Sequence, residues 1–199
     1  MRPFSTAFVR PDRVRFEFRS TFNGGEWDRY IVWASSKEVA TWSDIRPGIG
    51  RDRSLALALA GATGVSGGSA YTVPSLLALD EMEPGRLTRL SDLEHLEDGK
   101  LGDIDCFRVR GQFIVHIDPE ELERARERFQ KLTGSSLGVP EEEPETLWID
   151  KATFLLRRLD HQARFESFRT GETTIYDPAM ELPIPEKNLR FDPPSGVSG

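Results

Sequence analysis

The sequence predicts an α+β protein that is mainly β: an antiparallel sheet with one bulky apolar face, and short apolar helices that cover it. Three observations carry this expectation. In VRFEFRSTF, Val14, Phe16 and Phe18 alternate with Arg15, Glu17 and Arg19, the period-2 pattern of a strand with one face in a core and the other in water. In SLALALAGATGVSGG, residues 54–68, a run of leucine and alanine gives way to glycine, in a chain of which 30% is charged. Nearly half of the aromatic residues (12 Phe, 4 Trp and 3 Tyr in all) precede residue 43, so the sheet they form carries large rings that something has to cover.

Each element follows in chain order. Phe22-Asn-Gly-Gly-Glu26 supplies turn residues, and RYIVWAS from Arg29 is the hairpin partner of the first strand. A short strand is expected at Val39 to Trp42. Leucine and alanine favour a helix over Asp52 to Ala60, although Leu55, Leu57 and Leu59 also alternate with strand period. Such a helix is apolar almost all round, so Leu55, Leu57 and Leu59 are all expected to be buried, against Phe16 and Phe18. GATGVSGGS, residues 61–69, reads as a flexible connector to a second short helix in YTVPSLLALD, capped by Thr72 or Val73 with Pro74 in its first turn.

Strands resume from Arg89 to Leu96 and from Asp103 to Gly111, on either side of a turn at Glu97-Asp-Gly-Lys100. Asp118, Pro119 and Glu121 open an amphipathic helix that Gly134 ends. Its inward stripe is Leu122, Ala125, Phe129 and Leu132, with Glu123, Arg124 and Glu127 outside. An acidic loop, GVPEEEPE, leads to a hairpin in TLWIDKATFLLRRLD that turns at Asp150 to Thr153. A last strand in ETTIYD and a proline-broken tail to Pro193-Pro194 complete the chain.

At 199 residues the chain is read as one domain, 1–199, with a 38% hydrophobic composition typical of a globular protein. A net charge of -7 argues against general nucleic-acid binding. The single cysteine, Cys106, leaves no internal disulfide and fixes no redox compartment. The start, MRPFSTAFVRPDR, has no apolar signal-peptide core. GATGVSGG is not followed by Gly-Lys-Ser/Thr, as a phosphate loop would be. His95, His116 and His161 are scattered, the His116/Asp118 pair is explained by a strand end leading into a helix cap, and neither a metal site nor a cofactor is expected. Trp33 and Trp148 are read as strand packing. No motif marks a catalytic group, and the protein is expected not to be an enzyme.

STAFVRPDRVRFEFR, YTVPSLLA, DCFRVRG, LWIDKATFLLRR and TTIYDPAMELPIPEKNLRFDPP resemble, in this order, the LolA/LolB-like superfamily, the lipoprotein-sorting proteins of the bacterial outer membrane and their uncharacterised relatives. The LWIDK hairpin, the TT-x-Y strand and the terminal F-x-PP carry the likeness furthest. The resemblance implies a strongly curved antiparallel sheet, an incomplete barrel, whose concave face is plugged by short helices that move to admit acyl chains. It also implies a periplasmic or cell-envelope setting. Relatives have a signal peptide and a long helix before the first strands, whereas a strand is reached here at Phe4; a truncated start or a more open cavity is therefore expected. The helix over 118–134 is expected as an insertion.

Together these readings place an apolar binding surface at Val14, Phe16, Phe18, Tyr30 and Val32 of the sheet and at Leu55, Leu59, Leu76 and Leu77 of the two helices. The expected function is a non-enzymatic carrier of a lipid, a lipoprotein acyl chain or another apolar ligand, with a lipidated protein as partner and peripheral contact with a membrane. A sensor of lipidated partners and an enzyme that uses the cavity remain open on the same fold.

Overall fold

A computed structural model describes residues 3–10, 12–20, 28–35, 37–45, 48–66, 69–72, 86–113, 118–134, 138–180 and 182–192. The chain divides into two compact units, residues 1–88 with 181–199 and residues 89–180. Each contains one antiparallel five-stranded sheet whose strands neighbour one another in chain order. The mainly β expectation holds, and neither sheet is closed or strongly curled.

In the first unit, β1 (Phe4–Val9), β2 (Arg13–Ser20), β3 (Asp28–Ser35), β4 (Glu38–Ser43) and β5 (Gly50–Arg51) form the sheet. The alternation in β2 sets its register. Phe16 lies opposite Thr6 and Val32, and Phe18 opposite Phe4 and Tyr30, so a slip of one residue would carry every ring to the wrong face. Arg15, Glu17 and Arg19 take the other face, as expected. Gly50 is required where β5 meets β4, since a Cβ there would lie 2.5 Å from Thr41 Oγ1.

Helix α1 (Leu55–Ser66) corrects the expected boundaries of 52–60. Ser54 starts it, its Oγ accepting from the Leu57 amide, and the helix runs through Gly61 and Gly64 to Ser66. Most of the segment read as a flexible connector is thus helical. The expected second helix, with Leu76 and Leu77, lies outside the described residues, as does the turn at 22–26.

The second unit contains β6 (Leu90–Leu101), β7 (Ile104–Phe113), β8 (Pro144–Asp150), β9 (Leu156–Arg164) and β10 (Arg169–Ile175). The turn expected at Glu97-Asp-Gly-Lys100 is instead part of β6, which keeps pairing with β7 across a register shift between Leu96 and Gly99. The chain reverses at Gly102, whose φ of 58° suits glycine. The last strand also begins three residues before the expected ETTIYD segment. Helix α2 (Pro119–Thr133) matches its expected span: the Asp118 carboxylate accepts from the amides of Glu120 and Glu121, and Gly134 closes the helix at a φ of 72°. Glu123, Arg124 and Glu127 are exposed and Leu122 is half-buried. Phe129, expected inward, is exposed.

The β8–β9 hairpin is organised by one carboxylate. Asp150 Oδ1 accepts from the amides of Ala152 (2.8 Å) and Thr153 (3.2 Å), while Arg157 Nη2 donates to Oδ2 at 3.0 Å. The Ala152 amide holds the Asp150 carboxyl down at about 2 from an ordinary 3.8; burial opposes this, and Thr153 and Arg157 reinforce it. Because its folded value is depressed, its stabilisation is complete above 3.8 and disappears as pH falls through about 2. Asp150→Asn can still accept both amides. The stability difference between wild type and this variant is therefore expected to hold constant from neutral pH down to about 5 and to shrink towards pH 2, measured by urea unfolding across that range. A difference that does not change with pH would mean that the charge contributes nothing.

The same hairpin holds Phe154 at a φ of 58°, a left-handed conformation that costs an L-residue roughly 1–2 kcal/mol. Glycine avoids that strain at an entropic cost of about 0.5–1 kcal/mol. Phe154→Gly is expected to stabilise the protein by about 0.5–1 kcal/mol in the same unfolding assay. A loss instead would show that the stacking of Phe154 on Phe107 (ring centroids 6.3 Å apart) outweighs the strain.

Candidate functional site

Seven of the nine residues expected to line an apolar surface are brought together in the first unit. Val14, Phe16 and Phe18 of β2 and Tyr30 and Val32 of β3 share one face of the sheet, and Leu55 and Leu59 reach them from α1. The rings form a ladder across three strands: Phe4 to Phe16 at 6.1 Å, Phe16 to Phe18 at 5.9 Å, and Phe18 to Tyr30 stacked at 5.4 Å. These spacings suit aromatic packing. Leu76 and Leu77 lie outside the described residues.

Helix geometry decides which residues of α1 belong. Leu55, Ala58, Leu59 and Ala62 recur at i, i+3, i+4 and i+7 and are buried against the sheet. Leu57 sits about 200° round the helix from Leu55 and is 56% exposed. The expectation that all three leucines are buried is thus corrected, and the strand-period alternative with it. The sequence reading also missed Phe4, Phe8, Ala34, Ala58, Ala62 and Ala70, which join the cluster. The alternation of Phe4 and Phe8 in FSTAFV and the four-residue spacing of Ala58 and Ala62 were the available signals.

Tyr30 brings a titratable group to this face. The Tyr30 hydroxyl is pushed up from its ordinary value chiefly by burial, with the Asp52 carboxylate adding to the rise and Thr41 opposing it. It lies beside Gly61 of α1, where an added Cβ would come to 3.9 Å from the hydroxyl oxygen. Thr6, opposite Phe16, and Thr41, opposite Val32, place two further hydroxyls on this face, and the cluster around them is hydrocarbon and aromatic. Such a surface offers burial, shape and a few hydroxyls that can orient a polar group.

The other candidates have structural partners. Trp33 lies on the opposite face of the sheet from Phe16. Trp148 of β8 stands between the guanidinium groups of Arg108 (4.5 Å) and Arg158 (5.1 Å) and donates from Nε1 to Asp160 at 2.9 Å. Burial raises the Asp160 carboxyl, but hydrogen bonds from Arg158, Thr173 and Trp148 prevail and lower it. Cys106 is buried, and desolvation, with Asp150 nearby, pushes its thiol up. His95 pairs with Asp98 at 3.2 Å. His161 has Glu145 3.5 Å from Nδ1 and Glu143 3.9 Å from Nε2; the imidazole separates these carboxylates, so the three groups do not converge on one point. His116 lies outside the described residues.

No family model, curated protein or solved structure matches this chain.

Phe16, fully buried at the centre of the ring ladder, measures how tightly this face is packed. Phe16→Ala is expected to cost about 3–5 kcal/mol, whereas Leu57→Ser is expected to stay within about 0.5 kcal/mol. Both are read as shifts in urea midpoint. A Phe16→Ala cost near that of Leu57→Ser would mean that the face is loosely filled rather than packed as core.

Proposed function

We propose that the protein is a non-enzymatic carrier of apolar chains, the acyl chain of a lipid or of a lipidated protein. In this reading the aromatic face of the first sheet forms the wall of a concave binding surface and α1 is the plug that a ligand displaces. The cell envelope is its setting, with peripheral contact at a membrane surface. The reading rests on one observation: the leucines and alanines of α1 pack on an aromatic and aliphatic face of the sheet.

The magnitudes favour exchange. Two buried leucines contribute roughly 3–6 kcal/mol to the docking of α1, while Gly61 and Gly64 in the helix interior each cost about 1 kcal/mol relative to alanine. A saturated chain gains about 0.8 kcal/mol for each buried methylene, so a dozen of them would supply roughly 10 kcal/mol on the same face. The ligand therefore competes with the helix on favourable terms. The strands have no such competitor, since their register is held by backbone hydrogen bonds.

Hydrogen exchange with and without palmitate, below the concentration at which it forms micelles, tests the reading. Amides of residues 55–66 are expected to exchange faster with palmitate present, and those of 13–20 and 28–35 to stay unchanged. Equal protection of 55–66 in both states would make α1 ordinary core and remove the mechanism.

A further inference from the structure

The face of the first sheet opposite α1 is also aromatic, and the chain's own C-terminal segment covers it. Ile31, Trp33, Ala40 and Trp42 form a buried cluster there, and Phe191 packs on it, its ring centroid 4.8 Å from that of Trp42 and 5.9 Å from that of Trp33. Two guanidinium groups hold the same ring, Arg29 at 5.2 Å and Arg15 at 5.8 Å. The rest of the segment is gripped by the arginines of β2: Arg13 binds the Glu186 carboxylate at 2.6 Å, and Arg15 donates to the Arg190 carbonyl at 3.1 Å. The face thus contacts three features of the segment: the Glu186 carboxylate, the Arg190 carbonyl and the Phe191 ring.

The fit is incomplete at one atom. Trp42 is 3% exposed, and among the described residues its Nε1 is buried with no hydrogen-bond acceptor. A buried donor left unmade is a defect that a better occupant would correct. Just before the segment, Leu182, Pro183 and Pro185 are exposed, and the two prolines break regular structure.

We propose that this face is a binding groove for a peptide segment of a partner protein that joins a carboxylate to an aromatic ring, and that residues 186–192 occupy it as an intramolecular competitor. The contacts select the occupant: Arg13 takes a carboxylate, while Arg15 and Arg29, themselves paired with Glu17 and Asp44, present guanidinium groups to an aromatic ring, so a segment that joins a carboxylate to an aromatic ring, as Glu186 is joined to Phe191, matches the face. An incoming carbonyl or carboxylate within reach of Trp42 Nε1 would satisfy the donor, which has no acceptor among the described residues. The proposal concerns the face away from α1, so it stands or falls apart from the carrier reading.

The probe is a fluorescein-labelled peptide with the sequence of residues 182–194, titrated into the full chain by fluorescence anisotropy. Phe191→Ala loosens the competitor, and because a self-occupied groove weakens apparent affinity in proportion to its closure, the variant is expected to bind the probe roughly tenfold more tightly than wild type. Phe191→Leu, which keeps apolar bulk, serves if the alanine variant loses its fold by circular dichroism, and an intermediate gain is expected from it. A probe with its phenylalanine replaced by alanine is expected not to bind, and added salt to weaken the intact probe. A folded variant that binds the probe no better than wild type overturns the proposal. Self-association of the wild-type chain in size-exclusion chromatography, lost in Phe191→Ala, would assign the groove to the segment of a second copy and overturn the partner reading.

Discussion

The first unit depends on the antiparallel register of β2 against β3, because that pairing decides what each face of the sheet has to bury. Phe16 opposite Val32 and Arg15 opposite Trp33 put rings on both sides of the same pair of strands. A sheet with one wet face would set charges opposite charges on its outer side. Here Ile31 and Trp33 are themselves buried, so the outer face needs a cover as much as the inner one does. The arginines of β2 resolve the mixture by lying over the cover: Arg15 bonds Glu17 at 2.6 Å and reaches the carbonyl of Arg190, its apolar stem along the sheet and its charged end at the edge.

That arrangement explains what the sequence made legible and what it concealed. Residues 118–134 were readable because a helix cap is a local device: Asp118, Pro119 and Gly134 act within a turn of where they stand. The Asp150 turn was readable for the same reason. The alternation in β2 identified Val14, Phe16 and Phe18 as one face, yet it suggested solvent on the other. The contrary signal was RYIVWAS, in which four consecutive residues, Ile31 to Ala34, are buried; an unbroken apolar run marks a strand covered on both sides. What covers it could not be read. Phe191 stands well over a hundred residues from Trp33 and Trp42, and no periodicity links them.

The misplaced turn in β6 has a different cause. Asp98-Gly99 and Gly102-Asp103 are both turn-forming pairs four residues apart, and local chemistry does not rank them. Packing does. A Cβ at position 99 would lie 2.6 Å from the Trp148 ring, so Gly99 serves the close approach of an indole rather than a chain reversal. That indole belongs to a different kind of sheet, in which one face is built from Arg108, Trp148, Arg158 and Asp160. These groups are only partly withdrawn from water, with Arg158 and Asp160 side chains 32% and 19% exposed, which keeps their desolvation cost low enough for hydrogen bonds and ring contacts to offset it. Composition alone does not distinguish such a face from a ligand site. For Asp160 the partners do, because each of its carboxylate oxygens already accepts a hydrogen bond from this unit.

The two covers of the first sheet are alike in mechanics although opposite in chemistry. Helix α1 is held by aliphatic burial, and the C-terminal segment by arginines and ring contacts, but each is a single segment attached through side chains to strands paired by backbone hydrogen bonds. Opening free energies within one fold follow that difference, since elements with few long-range partners open before paired strands do. A wall one strand thick separates the covers, with Val32 facing one and Trp33 the other. For a disturbance on one side to shift the other, β2 or β3 would have to slide, and a one-residue slide exchanges the two faces and unburies both sets of rings. The register therefore insulates as well as supports: salt, which weakens the grip of Arg13 on Glu186, reaches the outer cover and leaves the hydrocarbon contacts of α1 with Phe16 and Val32 in place.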